Sequence, residues 1–477
     1  MTTPLAEHEE IRSAIDLLGA WIEAQRVYRE FPGLSIAIVH DQTVVWARGF
    51  GYADVERREP ATGDTLYRIG SITKLFTAVA ILILRDAGKL RLDDPLTAHL
   101  PWFEMKGASP DAGPITLRHL LTHTSGLPRE AAFPYWTDGL FPSADEIRTR
   151  LPIQERPLPI ESRWKYSNLG AALAGEVVAA VSGLPYADFV QRHVLEPLGM
   201  SATLVATPTP GHPRLATGYT RWLPGRERAR ALFSDLRGLT AAGNMTTTVT
   251  DLARFAMLQL RAGAAGGTQI LGRRTLAEMQ RVHWLEPEWQ AGWGLGFRVL
   301  RLRGKTYVGH AGSVHGFRSE LRICPADKVA AIVFINADDG EPGLFVDKAL
   351  DWVGSAIANA TKPAPPTADP AWQRYVGRYR NAWGDLQIIV RGGELTVIGP
   401  AAPDPLLAPA TLQPVGEHTF RVESKDGYGI PGELAAFEVD ATGRVVRVRF
   451  GENYTERIET WEDAVGVQSP VDRTFNP

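Results

Sequence analysis

Two hydrophobic periodicities alternate in the first 90 residues of the chain. Apolar residues recur every three or four positions over 8–27, which predicts an amphipathic helix. The apolar runs 33–39 and 43–47 are separated by a short polar turn, a pattern typical of a β-hairpin. A short strand is predicted at 65–69, and it leads directly into a helix predicted over 71–87.

The next 270 or so residues are first helical and then strand-like in pattern. Helical spacing and proline-marked loops dominate 90–240. Strand character returns at 306–309, 319–323 and 329–336, and a final helix fits 343–359. Because strand patterns flank a helical middle, we expect the two sequence-distant ends to build one sheet around a helical insert.

The sequence pattern changes near residue 360, which indicates a domain boundary. Four prolines lie within 361–370, and this density predicts a stiff, extended linker. The segment 371–477 then carries short apolar strands separated by glycine turns, which predicts a small antiparallel β-barrel. We therefore expect a first domain over 1–360, with its helical lobe at roughly 90–240, followed by the linker and the barrel.

Composition narrows the class of protein. The chain has 477 residues, 44% hydrophobic and 22% charged, as in ordinary globular proteins. Its 51 basic and 54 acidic residues nearly cancel, which argues against a nucleic-acid partner. The single cysteine, Cys324, excludes an internal disulfide and a four-thiolate metal site. The longest apolar run, 75–84, is far shorter than the ~20 residues of a membrane span, and no signal peptide is recognisable, so we expect a cytoplasmic protein without membrane association.

The first chemically distinctive segment is Ser71-Ile72-Thr73-Lys74, at the predicted junction of strand and helix. Residues i and i+3 share one helix face, so the ammonium of Lys74 can reach the hydroxyl of Ser71. A helix start also supplies free backbone N–H groups and positive potential, both of which stabilise an oxyanion. Because a serine hydroxyl needs a neighbouring base to become a nucleophile, Ser71 and Lys74 are candidate catalytic residues.

A second segment, Tyr166-Ser167-Asn168, lies in a loop before a helix predicted at about 169–182. A neighbouring ammonium such as Lys74 favours an ionised phenol, so Tyr166 is a candidate base that later returns the proton as an acid. The residues alone do not decide whether Tyr166 or Lys74 is the base. Asn168 is expected to bind Lys74 or the substrate.

The third segment, His310-Ala311-Gly312-Ser313, is expected directly after the strand at 306–309. Glycine at 312 would let a substrate lie against the backbone. The N–H of Ser313 is then a candidate second oxyanion donor, beside the N–H of Ser71. His310 is expected to line the site.

In this order, the three segments resemble those of the serine β-lactamase and penicillin-recognising family, specifically its class C, D-alanyl-D-alanine carboxypeptidase and esterase branch. The stretches Leu-Leu-Thr-His-Thr-Ser-Gly-Leu at 120–127 and Ala-Gly-Asn-Met at 242–245 are similar to family loops that flank the site. The resemblance covers about 10–358. It implies an α/β (α+β) β-lactamase/transpeptidase-like fold, in which an antiparallel sheet is flanked by helices and joined to an all-helical lobe. It also implies an acyl-enzyme at Ser71 and no cofactor. The C-terminal strands look like the lipocalin-like domain appended to several such hydrolases.

One departure from the family changes the expected substrate. Penicillin-directed members generally carry lysine where this chain has His310, and that cation holds a substrate carboxylate. Histidine is mostly neutral near pH 7. We therefore expect an esterase or a D-aminopeptidase-like hydrolase that acts on a small ester, amide or peptide. The alternatives are a D-peptidase, a penicillin-binding enzyme or a class C-like β-lactamase, and, from another class, a catalytically silent binding protein. The oligomeric state stays open.

Further residues are candidates for a pocket or a metal site. His119 and His123 are four residues apart on a predicted helix, which is metal-ligand spacing, but the zinc-protease motif would need a glutamate after the first histidine, so we expect no metal. Possible pocket residues are His315, Tyr135 and Trp136.

Overall fold

A computed structural model describes residues 5–107, 113–209, 211–261, 269–362, 367–406 and 409–460. The chain divides into two compact units, Met1–Thr361 and Lys362–Pro477. Of the predicted linker at 361–370, residues 363–366 lie outside the described part of the chain.

The first unit contains a nine-stranded antiparallel sheet and a separate strand pair. In sequence order its strands are β1 Gly33–His40, β2 Thr43–Asp54, β3 Glu59–Pro60, β4 Tyr67–Arg68, β5 Thr246–Thr247, β6 Trp284–Leu285, β7 Ala291–Trp293, β8 Arg298–Leu302, β9 Lys305–Val314, β10 Phe317–Cys324 and β11 Val329–Ile335. The order across the large sheet is β3-β2-β1-β11-β10-β9-β8-β7-β6, and β4 pairs with β5. Because β1 lies beside β11, the two ends of the unit do build one sheet, as predicted.

Helices cover both faces of this sheet and form the middle of the unit. They are α1 Glu9–Tyr28, α2 Thr73–Asp86, α3 Leu96–His99, α4 Leu117–Thr122, α5 Tyr135–Asp138, α6 Ala144–Arg150, α7 Asn168–Ser182, α8 Tyr186–Val190, α9 Glu196–Leu198, α10 Thr240–Gly243, α11 Val249–Leu260, α12 Arg273–Gln280, α13 Pro342–Lys348 and α14 Ser355–Ala360. The π-helical turn Ala349–Gly354 joins α13 to α14, so the final predicted helix is continuous. Within the described residues of 90–240 there are helices and no strand.

Two apolar cores explain why the central strands do not alternate in sequence. In β1, Ala37 and Val39 face the core shared with α2, α7 and α11. Leu34, Ile36 and Ile38 face the second core, which α1 and α13 cover. A strand buried on both faces needs apolar residues at successive positions, and seven of the eight residues of β1 are buried.

The second unit is a closed barrel of eight consecutive antiparallel strands, which confirms the predicted architecture. The strands are β12 Gly377–Asn381, β13 Gly384–Arg391, β14 Glu394–Ile398, β15 Ala410–Pro414, β16 Thr419–Glu423, β17 Leu434–Val439, β18 Val445–Phe450 and β19 Asn453–Ile458. Pairing of β12 with β19 closes the barrel. Its interior is filled by apolar and aromatic side chains, among them Tyr379, Phe420 and Phe437.

In the described part of the chain, no helix taken singly has the length and apolar composition needed to cross a membrane. One pair of helices, Asn168–Ser182 and Tyr186–Leu198, has them only when counted together, across a bend of 78°.

Asn336 links the end of β11 to two other segments of the first unit. Its side chain is fully buried, and Nδ2 donates to the carbonyls of Tyr52 and Ala53, at 3.2 Å each, and of Thr217 at 3.0 Å. Replacing Asn336 by alanine removes this buried donor from three carbonyls. We expect Asn336→Ala to lower the free energy of unfolding by about 1–3 kcal/mol, measured by urea denaturation.

Leu140, which is 75% exposed, supplies the control for this measurement. Leu140→Ala should change the free energy of unfolding by about 0.5 kcal/mol or less. If Asn336→Ala behaves like this control, the three hydrogen bonds make no net contribution to stability.

Candidate active site

The turn between β4 and α2 presents Ser71. The chain leaves β4 at Arg68 and passes through a 3-10 turn, Gly70–Ile72, into α2. Gly70 has φ +51°, and a Cβ placed there would lie 2.6 Å from the backbone nitrogen of Ser313. Because only glycine tolerates both the left-handed backbone and this close approach, Gly70 lets the turn lie directly against β9.

Two predicted partners converge on the Ser71 hydroxyl. The phenol of Tyr166 donates a hydrogen bond to Oγ at 2.7 Å, and Nζ of Lys74 donates to the same atom at 3.1 Å. Tyr166 reaches Ser71 across 95 residues of sequence, from the loop that enters α7. The structure therefore brings together the three residues that the sequence motifs singled out.

Lys74 lies inside the protein with all three of its N–H donors used. Besides Ser71, Nζ donates to Oδ1 of Asn168 at 2.8 Å and to the carbonyl of Ala242 at 2.7 Å. Burial lowers the pKa of Lys74 to about 7, while the Glu130 carboxylate acts in the opposite direction. Burial therefore brings the pKa of Lys74 toward neutral pH, where its free-amine form becomes accessible.

Tyr166 differs from the sequence-based expectation of an ionised phenol. Burial raises its pKa above the ordinary value of 10, and the hydrogen bond to Ser71 offsets only part of this effect. The Lys74 ammonium lies over the face of the ring, with Nζ 4.8 Å from the centroid. The expectation was wrong because dehydration of the phenolate outweighs the attraction of the Arg129 cation, and the Glu130 carboxylate raises the pKa further. In the resting site, Tyr166 is a neutral proton donor.

The third segment lies within strand β9, where the sequence had placed it after a strand. A Cβ on Gly312 would lie 1.9 Å from the carbonyl oxygen of Ile69 and 2.2 Å from Oγ of Ser319. The space on the side of the missing Cβ is filled by the turn that carries the nucleophile, and the expectation that a substrate lies against the backbone at Gly312 stays a prediction. Gly312 lets β9 approach that turn, and this approach places Ser313 beside Gly70.

His310 is buried and uncharged. Its Nδ1 pairs with the carbonyl oxygen of Ala311 at 2.5 Å, which fixes the ring proton on this nitrogen. Burial, followed by the nearby Lys74 charge, lowers the pKa of His310 to about 3. Nε2 is a buried acceptor that has no hydrogen-bond partner among the described residues. At position 310 the chain therefore has a neutral, buried side chain where a lysine would place a cation, and His310 is not among the residues that line the cavity at Ser71.

A cavity of about 430 Å³ opens on Ser71 and is lined by both apolar and polar side chains. The large apolar lining residues, here called the apolar wall, are Trp136, Phe141, Leu236 and Leu239. The polar lining residues are Arg129, Glu130, Asn168 and Ser313. A ligand that carries an apolar side chain as well as a polar reactive group suits this lining.

The predicted pocket residues fall into different places. Trp136 lines the cavity, whereas Tyr135 is fully buried, and its hydroxyl donates to Glu130. His315 lies in the turn between β9 and β10, with its ring centroid 5.4 Å from that of Trp136. His315 therefore supports a wall of the cavity through Trp136.

Most of the chain is similar in sequence to one protein family. Residues 19–355 match the family described as Beta-lactamase. The chain belongs to this family. The matched region contains every residue named above for the site, and the hydrolases among its members make the chain a serine hydrolase in the broad sense.

Two curated relatives of this family member are penicillin-binding proteins. Penicillin-binding protein 4 of Amycolatopsis lactamdurans is 28% identical over 73% of this chain and 92% of its own length. Penicillin-binding protein 4* of Bacillus subtilis (strain 168) is 30% identical over 44% of this chain, and the match spans about half (49%) of that relative.

Two solved structures share the fold at 25% identity. The octameric penicillin-binding protein homologue from Pyrococcus abyssi has a TM-score of 0.64 and is covered to 99%, against 92% of this chain. A D-stereospecific amidohydrolase from Streptomyces sp. has a TM-score of 0.59 and is covered to 97%, against 70% of this chain.

Sequence reasoning missed Glu130, which fixes the orientation of the Asn168 amide in this family member. Nδ2 of Asn168 donates to Oε1 of Glu130 at 2.8 Å, so Oδ1 must point toward Lys74. Tyr135 and Arg129 hold the same carboxylate. No sequence signal linked Glu130 to Asn168, because the two are 38 residues apart and in different elements.

The two histidines with metal-ligand spacing do not share a helix face. Helix α4 ends at Thr122, and His123 follows with a left-handed backbone, φ +59°. Over the described ranges, no group of three or more His, Cys, Asp or Glu side chains is arranged to hold a metal ion.

Gly312→Ala tests whether the approach of β9 to the nucleophile turn matters. The new Cβ would force the strand from Ile69, and a shift of about 1 Å costs roughly 100-fold in rate. We expect such a loss in kcat/KM for p-nitrophenyl acetate. Ala311→Ser, on the exposed face of the same strand, is the matched control and should keep most of the activity. Full activity in Gly312→Ala would contradict this reading of the strand.

Proposed function

We propose that this beta-lactamase family member hydrolyses small amides or esters through an acyl-enzyme on Ser71, with esterase-like or D-aminopeptidase-like specificity. One observation carries the proposal. Oγ of Ser71 lies between the buried amine of Lys74 and the neutral phenol of Tyr166, at the edge of a cavity. A base on one side and an acid on the other are what an acyl transfer at serine requires.

In the proposed cycle, neutral Lys74 accepts the Ser71 proton as Oγ attacks the substrate carbonyl. The N–H groups of Ser71 and Ser313 hold the oxyanion, since both lie at the contact of the turn with β9. Tyr166 protonates the leaving group when the C–N or C–O bond breaks, and the Lys74 ammonium restores the phenol proton. Water then cleaves the ester on Ser71. One proton of that water passes through Lys74 and Tyr166 to the released Oγ of Ser71.

Neutral His310 and the apolar wall of the cavity support the choice of substrate class. A neutral acceptor does not hold a carboxylate, so this site lacks at position 310 the cation that penicillin-directed members use. The structural similarity to a D-stereospecific amidohydrolase favours amide substrates built on D-amino acids. Trp136 and Phe141 favour a bulky apolar side chain in that substrate.

A penicillin-directed activity is the second candidate, because two curated relatives bear the name penicillin-binding protein. Stable acylation by a fluorescent penicillin or rapid nitrocefin turnover would favour it. A silent binding protein is the third, and inertness toward p-nitrophenyl acetate, D-alanyl-p-nitroanilide and nitrocefin together would favour that one.

A fluorophosphonate probe tests the nucleophile directly. We expect one covalent adduct per chain, located on Ser71 by peptide mass spectrometry, because only an activated serine reacts with such a probe. Ser71→Ala should abolish both labelling and turnover. Ser355→Ala, at an exposed serine, is the control and should change neither. An adduct on a different serine would overturn the assignment.

The pH profile separates Lys74 from Tyr166 as the base. A lysine with a lowered pKa is a free amine above that pKa, so kcat/KM should fall as the pH drops through about 7. Lys74→Arg should lose essentially all activity, since a guanidinium does not deprotonate in this range. An acid limb far above pH 7 would instead assign the base to the phenolate of Tyr166.

Tyr166→Phe tests the proposed acid. An anilide or amide leaving group needs a proton, whereas p-nitrophenolate leaves without one. We therefore expect kcat for D-alanyl-p-nitroanilide to fall by roughly 10²–10⁴-fold, and kcat for p-nitrophenyl acetate to fall much less. Equal losses on both substrates would contradict an acid role for Tyr166.

A further inference from the structure

His123 contacts three consecutive residues of the loop that carries Tyr166. Its carbonyl accepts a hydrogen bond from the backbone N–H of Lys165 at 2.9 Å. Its ring packs on the ring of Tyr166, with centroids 4.4 Å apart, and its Nδ1 accepts from the backbone N–H of Ser167 at 3.3 Å. These contacts fix the backbone on both sides of Tyr166 and the plane of the Tyr166 ring.

The backbone around His123 is suited to this contact. Helix α4 stops one residue earlier, and the left-handed conformation of His123 turns both its carbonyl and its ring toward the Tyr166 loop. Histidine adopts this conformation more readily than most residues do. The side chain is only 3% exposed, so its position is determined by packing.

His123 is also central to a cluster of rings. Its centroid lies 6.0 Å from Trp164 and 5.5 Å from Trp293, both edge-on, in addition to the Tyr166 contact. Trp293 in turn lies 5.9 Å from His310. The cluster borders Lys74, whose Nζ is 4.8 Å from the Tyr166 centroid.

Groups from several separate segments of the chain face Lys74. They are the acceptors Ser71, Asn168 and the Ala242 carbonyl, the charged Glu130 and Arg129, and the rings Tyr166, His123 and His310. Burial and the nearby Lys74 keep the pKa of His123 well below 6.5, so its own ring stays neutral.

We propose that His123 is a positioning residue of this hydrolase. It holds the Tyr166 hydroxyl against Ser71 and completes the cluster of rings that shields Lys74 from water. The inference rests on the proposed function, because it concerns how the same acid and base are arranged. His123 itself touches neither Ser71 nor the cavity in the way a catalytic residue would.

Two substitutions separate the two parts of this role. His123→Asn keeps a residue that tolerates the left-handed backbone, but it removes the ring and lets water approach Lys74. His123→Phe keeps a ring but loses the acceptor for the Ser167 N–H. His119→Asn is the matched control, since His119 lies on α4, before His123, and its ring bonds to the Thr116 N–H and the Glu161 carboxylate.

The experiment measures kcat, KM and the acid limb of kcat/KM for D-alanyl-p-nitroanilide, with urea midpoints for each variant. In His123→Asn we expect kcat to fall roughly tenfold or more, with KM nearly unchanged, and the acid limb to move to higher pH as the pKa of Lys74 rises toward its ordinary value. In His123→Phe we expect a similar loss of kcat with the acid limb near that of the wild type.

His119→Asn should leave kcat and the acid limb unchanged, even if its urea midpoint falls as much as those of the His123 variants. If the His123 variants lose stability while kcat and the acid limb stay at wild-type values, the positioning role is overturned and His123 is only structural. Wild-type protein that is neither labelled at Ser71 nor active would instead overturn the proposed function, so the two failures are distinguishable.

Discussion

The arrangement of the site depends on one buried amine. Helix α2 is enclosed by protein along most of its length, and Lys74, its second residue, is only 3% exposed. When Lys74 is charged, its three N–H groups must find acceptors inside the protein, because an unpaired buried donor is costly. The hydroxyl of Ser71, the amide of Asn168 and the carbonyl of Ala242 provide them, from three separate elements.

A second constraint is the close contact between β9 and the turn before α2. Glycines at 70 and 312 stand on opposite sides of this contact, and neither position has space for a Cβ. The contact is also secured by Ser319, whose buried hydroxyl donates to the Ile69 carbonyl at 2.8 Å. The strand that carries Ser313 is thereby held against the residue that would form the acyl bond.

Much of this could be predicted from the sequence, because the motifs at 71, 166 and 310 each combine chemically distinctive residues with local structure. The sheet built from two chain ends and the barrel also followed from local patterns. The surroundings of individual side chains could not be predicted in the same way. The neutral phenol of Tyr166 results from burial created by distant residues. The partners of Gly312 and Asn168 lie 243 and 38 residues away in sequence, at Ile69 and Glu130, so no local pattern indicates them.

The central claim is that Lys74 is dehydrated enough to be a free amine near neutral pH. It is tested most directly by NMR titration of the ¹³Cε signals in protein labelled at lysine, with Lys74→Arg used for assignment. The account predicts one lysine signal that titrates near pH 7 and is missing in the variant. A Lys74 signal that titrates near the ordinary lysine value of about 10.4 would contradict it.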